Sequence, residues 1–228
     1  MRTFAVVLNS PNNPTGAVYP RSTIEAIVEE CAFRGIQVFS DEVYDHMILD
    51  DEEYSSVLSC GTDLDHLMCI SSFSKTYSMA GLRVGWVISS QGAIKKLRRY
   101  HMFTTSVANT PAQFAGVAAL EGDQQSVRDM IDIYRERRDL TVDLVNQTPH
   151  LTGYKPGGGF FIFPDLPDHV DAADVCLRML KETGVCAVPG DAFGEHCTNS
   201  IRFSFSTSSE KIEEAFERII PWMKKQNF

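Results

Sequence analysis

Phe4-Ala5-Val6-Val7-Leu8 runs straight into Asn9-Ser10-Pro11-Asn12-Asn13-Pro14-Thr15-Gly16, and this junction decides the fold. Five apolar residues read as a buried strand. A run of Asn, Pro and Gly can continue neither a sheet nor a helix, so the strand must end in a loop. Pro20 and Ser22 then open a helix whose apolar face is Ile24, Ile27, Val28 and Cys31, and Gly35 ends it. Ile36-Gln37-Val38-Phe39-Ser40 is the next strand, and Leu67 to Ser71 and Val84 to Ile88 read as two more. Strands that alternate with helices predict an α/β unit built on a mainly parallel sheet.

Further along, Gln91 to Thr104, Pro111 to Glu121 and Gln124 to Asn146 have helical periodicity. The last of these is long, and its Arg135-Glu136-Arg137-Arg138-Asp139 run reads as a solvated face. After it the pattern changes. A turn at Gly157-Gly158-Gly159 precedes a strand from Phe160 to Phe163 and a helix from Ala172 to Glu182. A strand from Val185 to Val188, a strand from Ser200 to Phe205 and a helix from Ser209 to Lys224 complete the chain. This second set is α+β. The expected division is therefore a first domain over 1–130 and a smaller one over 131–228, joined through the helix 124–146.

Composition narrows the function classes. The 228 residues are 43% hydrophobic, enough for a sizeable core, and carry a formal net charge of -9. An acidic surface repels nucleic acid and anionic membranes, so the expected partner is a small molecule or a protein, with no nucleic acid and no membrane. The six cysteines, Cys31, Cys60, Cys69, Cys176, Cys186 and Cys197, form no CxxC pair and have no His at zinc-ligand spacing. They read as free buried thiols in a reducing compartment, and no metal is implied. With no leader-like start and no long apolar run, a cytoplasmic location is expected.

Four places carry candidate chemistry. Ser71-Ser72-Phe73-Ser74-Lys75 follows a strand, and Arg83 comes eight residues after the lysine. A lone loop Lys is usually solvated. Hydroxyls and a guanidinium around it change that reading, because such a set suits a phosphate and a nearby cation lowers the amine's pKa. Asp41, at the end of its strand, is either a turn cap or a carboxylate for a ring nitrogen, with Tyr44 three residues on. Asn13, in Asn13-Pro14-Thr15-Gly16, is turn chemistry that also offers an amide donor. Arg202 sits in Ile201-Arg202-Phe203-Ser204-Phe205, where a planar fork among bulky apolar neighbours suits a carboxylate.

Taken together, and in their order along the chain from Asn13 through Asp41 and Lys75 to Arg202, these motifs resemble the class I/II aminotransferases, which are fold-type I pyridoxal-phosphate enzymes. The likeness spans Asn9 to about Phe216, and Ser71 to Trp86 is its most specific part. The resemblance implies that the large domain's cofactor-binding, C-terminal part is followed by a small α+β domain. It implies pyridoxal 5'-phosphate held through a Schiff base on Lys75, with Asp41 partnering the ring nitrogen and Asn13 and Tyr44 bonding the ring oxygen. Ser72, Ser74 and Arg83 would hold the phosphate, and Arg202, with Asn13, would bind the substrate. Pro156 to Phe161 and Val188 to Gly194 resemble loops that border the substrate entrance. The partners implied are an α-amino acid and a 2-oxo acid, in a homodimer. The family also carries an N-terminal part, with a Gly/Ser phosphate turn and a ring-stacking aromatic, that this sequence does not contain. A fragment or a truncated gene product is therefore expected. The same lysine and arginine would equally serve a C–S lyase or an aminocyclopropane-carboxylate-forming enzyme. A truncated, non-catalytic relative is a further reading, and a plain α/β binding domain is the last.

Overall fold

A computed structural model describes residues 3–50, 53–60 and 64–228. The chain divides into two compact units, residues 1–12 with 18–130 and residues 13–17 with 131–228.

The first unit is α/β. Strands β1 (Ala5–Asn9), β2 (Gln37–Asp41), β3 (Leu67–Ser72) and β4 (Gly85–Ser89) lie side by side in that order. The first three run parallel and β4 is antiparallel to β3, so the sheet is mixed but mainly parallel. Helix α1 (Arg21–Arg34) makes the crossover from β1 to β2. The Pro20 carbonyl accepts from the Thr23 and Ile24 N–H groups at its start, and Gly35 closes it at φ 66°. That left-handed conformation costs glycine little and other residues more. Ile24, Val28 and Cys31 of α1 pack with Leu8, Val38, Leu67 and Cys69 of the sheet and with Val57 to form the core. Ile27 is only half-buried at its edge.

The expected buried strand at Phe4 to Leu8 is corrected in one respect. Leu8 alone is fully buried in β1, and Phe4 and Val7 are 80% and 74% exposed. The reason is position: β1 is an edge strand and pairs only with β2. Helices α2 (Gln91–Thr104) and α3 (Thr110–Glu121) also leave apolar side chains in solvent. Tyr100, Met102 and Phe103 are exposed on α2, which buries none of its residues, and Phe114, Val117 and Leu120 are exposed on α3.

Helix α4 (Gln125–Gln147) leads into the second unit. There β5 (Phe161–Ile162), β6 (Val188–Pro189) and β7 (Ile201–Ser204) form an antiparallel sheet in the order β5-β7-β6. Helix α5 (Ala172–Thr183) is capped by Asp171, whose side chain accepts from the Ala173 N–H at 2.8 Å. It buries Val175, Cys176 and Met179, while α6 (Ser209–Met223) buries Ile212, Phe216, Ile219, Trp222 and Met223.

Three expectations change here. The strand expected at Val185 to Val188 starts only at Val188, because the Val185 N–H turns back to Thr183 Oγ1 at 3.2 Å instead of joining a ladder. Cys186 is consequently exposed, and Cys60 and Cys197 are half-buried; Cys31, Cys69 and Cys176 are the buried thiols. Arg138, read as part of a solvated face, is 3% exposed. Its Nε donates to Asp139 Oδ1 at 2.9 Å and its Nη1 to the Pro156 carbonyl at 3.3 Å.

The exposed edge has a consequence. An unpaired, apolar strand edge is a template for another chain. Residues 1–228 expressed alone are expected to self-associate, and sedimentation velocity checks this. A monodisperse monomer at micromolar concentration would mean that the β1 edge is protected.

Candidate active site

The parallel register sets the site's floor. Asn9 of β1 is level with Asp41 of β2, and Asp41 with Ile70 of β3, so three strands end on one edge. In open α/β sheets the crevice outside the carboxyl ends of the strands receives ligands. Two of the expected residues stand there, Asp41 and Ser72, as the last residues of β2 and β3.

The Asp41 carboxylate accepts from the Val43 N–H at 3.2 Å through Oδ1, and Asn9 Nδ2 donates to the Asp41 carbonyl at 3.1 Å. The first bond is a turn cap, the plainer of the two roles read for Asp41. That turn aims the chain inward, and Tyr44 ends up 4% exposed. Lys75 Nζ lies 5.9 Å from the centroid of the Tyr44 ring. Two residues 31 positions apart in the chain are thus neighbours, each half of a different loop leaving the same sheet edge.

The Lys75 turn is built from behind. Phe73 is buried, with its ring 4.9 Å from Trp86 and 5.7 Å from Tyr77 between centroids. Helix α3 meets that ring through Gly116, where a Cβ would fall 2.8 Å from Phe73 Cζ. Strand β4 meets β3 at Gly85, where a Cβ would fall 2.6 Å from the Ser71 carbonyl oxygen. Ser72 Oγ accepts from the Ser74 N–H at 3.3 Å, which closes the turn. Ser72, Ser74 and Lys75 are half-buried. Arg83 is exposed in a left-handed conformation, φ 52°, and its Nη1 donates to the Ala80 carbonyl at 3.0 Å.

In the second unit, Arg202 of β7 donates from Nη1 to Asn13 Oδ1 at 2.8 Å, across 189 positions of sequence. Its guanidinium carbon lies 4.3 Å from the Phe161 ring centroid and 4.7 Å from that of Phe193. Such stacking holds a planar cation in a fixed orientation. The Asn13 loop is locked beside it. Gly16 has φ 69°, its carbonyl accepts from the Gly158 N–H at 2.9 Å, and a Cβ there would fall 2.3 Å from Pro156 Cβ. The carbonyl of the same Pro156 accepts from Arg138 Nη1.

Sequence reasoning took Gly16 as turn chemistry and Arg138 as solvated, and gave Glu42 no role. Glu42 is a carboxylate only 4% exposed, next to Asp41. A signal existed: Val38, Ser40 and Glu42 fall at period two, which puts Glu42 on the buried face of β2 extended. Neighbouring groups respond to this burial and charge. Burial first, and the Glu42 charge second, push the Cys69 thiol up to about 12. The Tyr54 phenol rises for the same two reasons. Burial likewise lifts the Asp45 carboxyl above its ordinary value, against the pull of His46. Among the described residues no group of three or more His, Cys, Asp or Glu is placed to hold a metal ion, and no helix is long and apolar enough to cross a membrane.

Comparison with known proteins shows the family. The family described as aminotransferase class I and II matches residues 1–219. The chain belongs to this family. A probable aspartate aminotransferase of Methanocaldococcus jannaschii is 37% identical over 220 residues, which are 94% of this chain and 57% of the relative. The aspartate aminotransferase of Thermotoga maritima is 38% identical over 218 residues, covering 96% of this chain and 55% of the relative. The crystal structure of an aromatic aminotransferase from Pyrococcus horikoshii superposes with a TM-score of 0.93 at 35% identity, over 97% of this chain and 60% of that one. The chain therefore spans a little over half the length of the curated relatives it matches.

The locked loop can be tested directly. Gly16→Ala combines a left-handed backbone with a clash against Pro156, and is expected to cost about 1–3 kcal/mol. Urea unfolding followed by circular dichroism measures it. A change under about 0.5 kcal/mol, the size usual for surface substitutions, would mean that the Asn13–Ala17 loop is not packed as described.

Proposed function

We propose that this chain works within a pyridoxal-phosphate-dependent aminotransferase that moves an amino group between an α-amino acid and a 2-oxo acid. One observation carries the reading: the Lys75 amine lies 5.9 Å from the centroid of the Tyr44 ring at the carboxyl edge of the sheet where Asp41 ends β2, in a chain matched by the family over 1–219. The first unit corresponds to part of the cofactor-binding large domain and the second to the small domain. A cytoplasmic homodimer is part of the same reading.

The residues fit pyridoxal phosphate by the chemistry of their donors. Lys75 offers the amine that would hold the aldehyde carbon. Asp41 offers a negative charge for the ring nitrogen, and Tyr44 and Asn13 offer hydrogen bonds for the ring oxygen. Ser72, Ser74 and Arg83 offer two hydroxyls and a guanidinium for the phosphate. When bound, the cofactor supplies an electron sink for the charge left as the substrate Cα loses its proton.

The chain's own residues do the rest. The carboxylate of Asp41 keeps a proton on the atom it faces. The Lys75 amine, once free, takes the Cα proton at Nζ and returns it elsewhere, and general acid–base help of this kind contributes about 10²–10⁴-fold. Arg202 grips the substrate's α-carboxylate with a two-pronged fork, pre-set by Phe161, Phe193 and Asn13. That grip suits any α-amino acid. The relatives differ in the substrates in their names, aspartate in some and arginine with pyruvate in another, so the side-chain preference is not carried over.

Two measurements test the reading. Borohydride reduction of the cofactor-loaded enzyme, followed by peptide mapping, is expected to place the label on Lys75, and a label on another lysine would overturn the assignment. Arg202→Lys is expected to raise KM for amino acids tenfold or more while cofactor affinity changes less than threefold, because an ammonium cannot reproduce the fork. An unchanged KM would mean that Arg202 does not touch substrate. Release of pyruvate and ammonia in place of 2-oxo acid exchange would point to a C–S lyase instead.

A further inference from the structure

Glu42 links several elements at this edge of the sheet through hydrogen bonds. Its N–H donates to the Ile70 carbonyl of β3 at 2.8 Å, and its own carbonyl accepts from Ser71 Oγ at 3.2 Å. Its carboxylate oxygen Oε1 accepts from Ser40 Oγ of β2 at 2.8 Å and from the Val57 N–H at 3.0 Å. One side chain and its backbone thus join β2, the end of β3 and the turn Val57–Cys60. The residues held are those next to the chemistry. Asp41 precedes Glu42, Tyr44 follows two residues later, and Ser71 leads through Ser72 to Lys75.

A buried carboxylate is costly unless its oxygens are satisfied. Alanine at this position would keep the backbone bonds to Ile70, Ser71 and Asp45 but leave the Val57 N–H and the Ser40 hydroxyl without that acceptor, which loosens the support behind the turn that carries Tyr44. Glutamine keeps an oxygen for both donors while removing the charge.

We propose that Glu42 is a positioning residue, a buried clasp that holds Asp41 and Tyr44 in place against the Lys75 turn. It acts through those residues and touches no substrate. The inference rests on the aminotransferase reading above, so its test needs one arm that does not.

The first arm uses the complete, cofactor-loaded enzyme. Glu42→Ala is expected to lower kcat tenfold or more, with KM for the amino acid within threefold, and to shift the pH midpoint of the cofactor's absorption band. Glu42→Gln is expected to recover most of both. A Glu42→Ala enzyme that loses only thermal stability, with kcat and band midpoint as in the parent, overturns the proposal. If Glu42→Ala fails to fold, Ser71→Ala removes one bond of the clasp without unpairing the carboxylate. It is expected to lower kcat about threefold with the same direction of band shift, and no change in either overturns the proposal. The second arm is amide hydrogen exchange of the cofactor-free protein. Residues 42–47 and 57 are expected to exchange at least tenfold faster in Glu42→Ala than in the parent, with α1 unchanged and Glu42→Gln close to the parent. Equal exchange overturns the clasp. A parent enzyme without any cofactor band would sink the aminotransferase reading alone, and the exchange arm would still decide on the clasp.

Discussion

The parallel pairing of β1, β2 and β3 is the constraint on which the first unit depends. A parallel ladder forces each strand to return by a crossover, so every strand ends on the same side of the sheet. Here Asn9 and Asp41 fall level in that ladder, with Ser72 two residues past the level of Ile70. Three strands therefore end on one edge, and there the loops after β2 and β3 bring Lys75 beside Tyr44. Helix α1 makes the crossover possible by burying one side against Leu8, Val38 and Leu67. The core and the polar edge are consequences of one topology.

Close backbone approach sharpens that edge. Gly85 lets β4 reach Ser71, and Gly116 lets α3 sit against Phe73. Neither position has room for a Cβ, so β3 and the Lys75 turn are gripped from two sides. Rigid backing of this kind suits the role proposed for Lys75, since a misplaced amine would lose much of its effect. The second unit uses a different device. There the guanidinium of Arg202 is sandwiched by two phenyl rings and bonded to Asn13, so orientation comes from stacking more than from backbone.

The elements were legible wherever periodicity was long. Helix α2 matches its expected limits of Gln91 to Thr104, and α3, α4, α5 and α6 lie within a residue of theirs. A helix declares itself over many residues, so a local exception does not hide it. Short strands failed where local bonding competed. At Val185 an apolar run looked like a strand, yet the Thr183 hydroxyl captured its N–H. At β1 the apolar run gave the strand, and Leu8 alone of it is fully buried because β1 stands at the edge of the sheet. Arg138 was misread for a different reason: charge within a long polar helix suggests solvent, whereas here the loop at Pro156 accepts from its guanidinium.

By itself the sequence singled out the candidate residues for chemistry, because the motifs that resemble the family's are short and ordered: Asn13, Asp41 with Tyr44, Ser72 to Lys75 with Arg83, and Arg202. It also determined the alternation of strands and helices, which follows from local hydrophobic spacing. The tertiary structure alone decided which of these residues are neighbours. Lys75 with Tyr44, Arg202 with Asn13, and Glu42 with Ser71 and Val57 are pairs separated by 15 to 189 positions. Such contacts depend on the register of a sheet and on where a Cβ can be absent. Those are properties of packed backbones, and no local pattern encodes them.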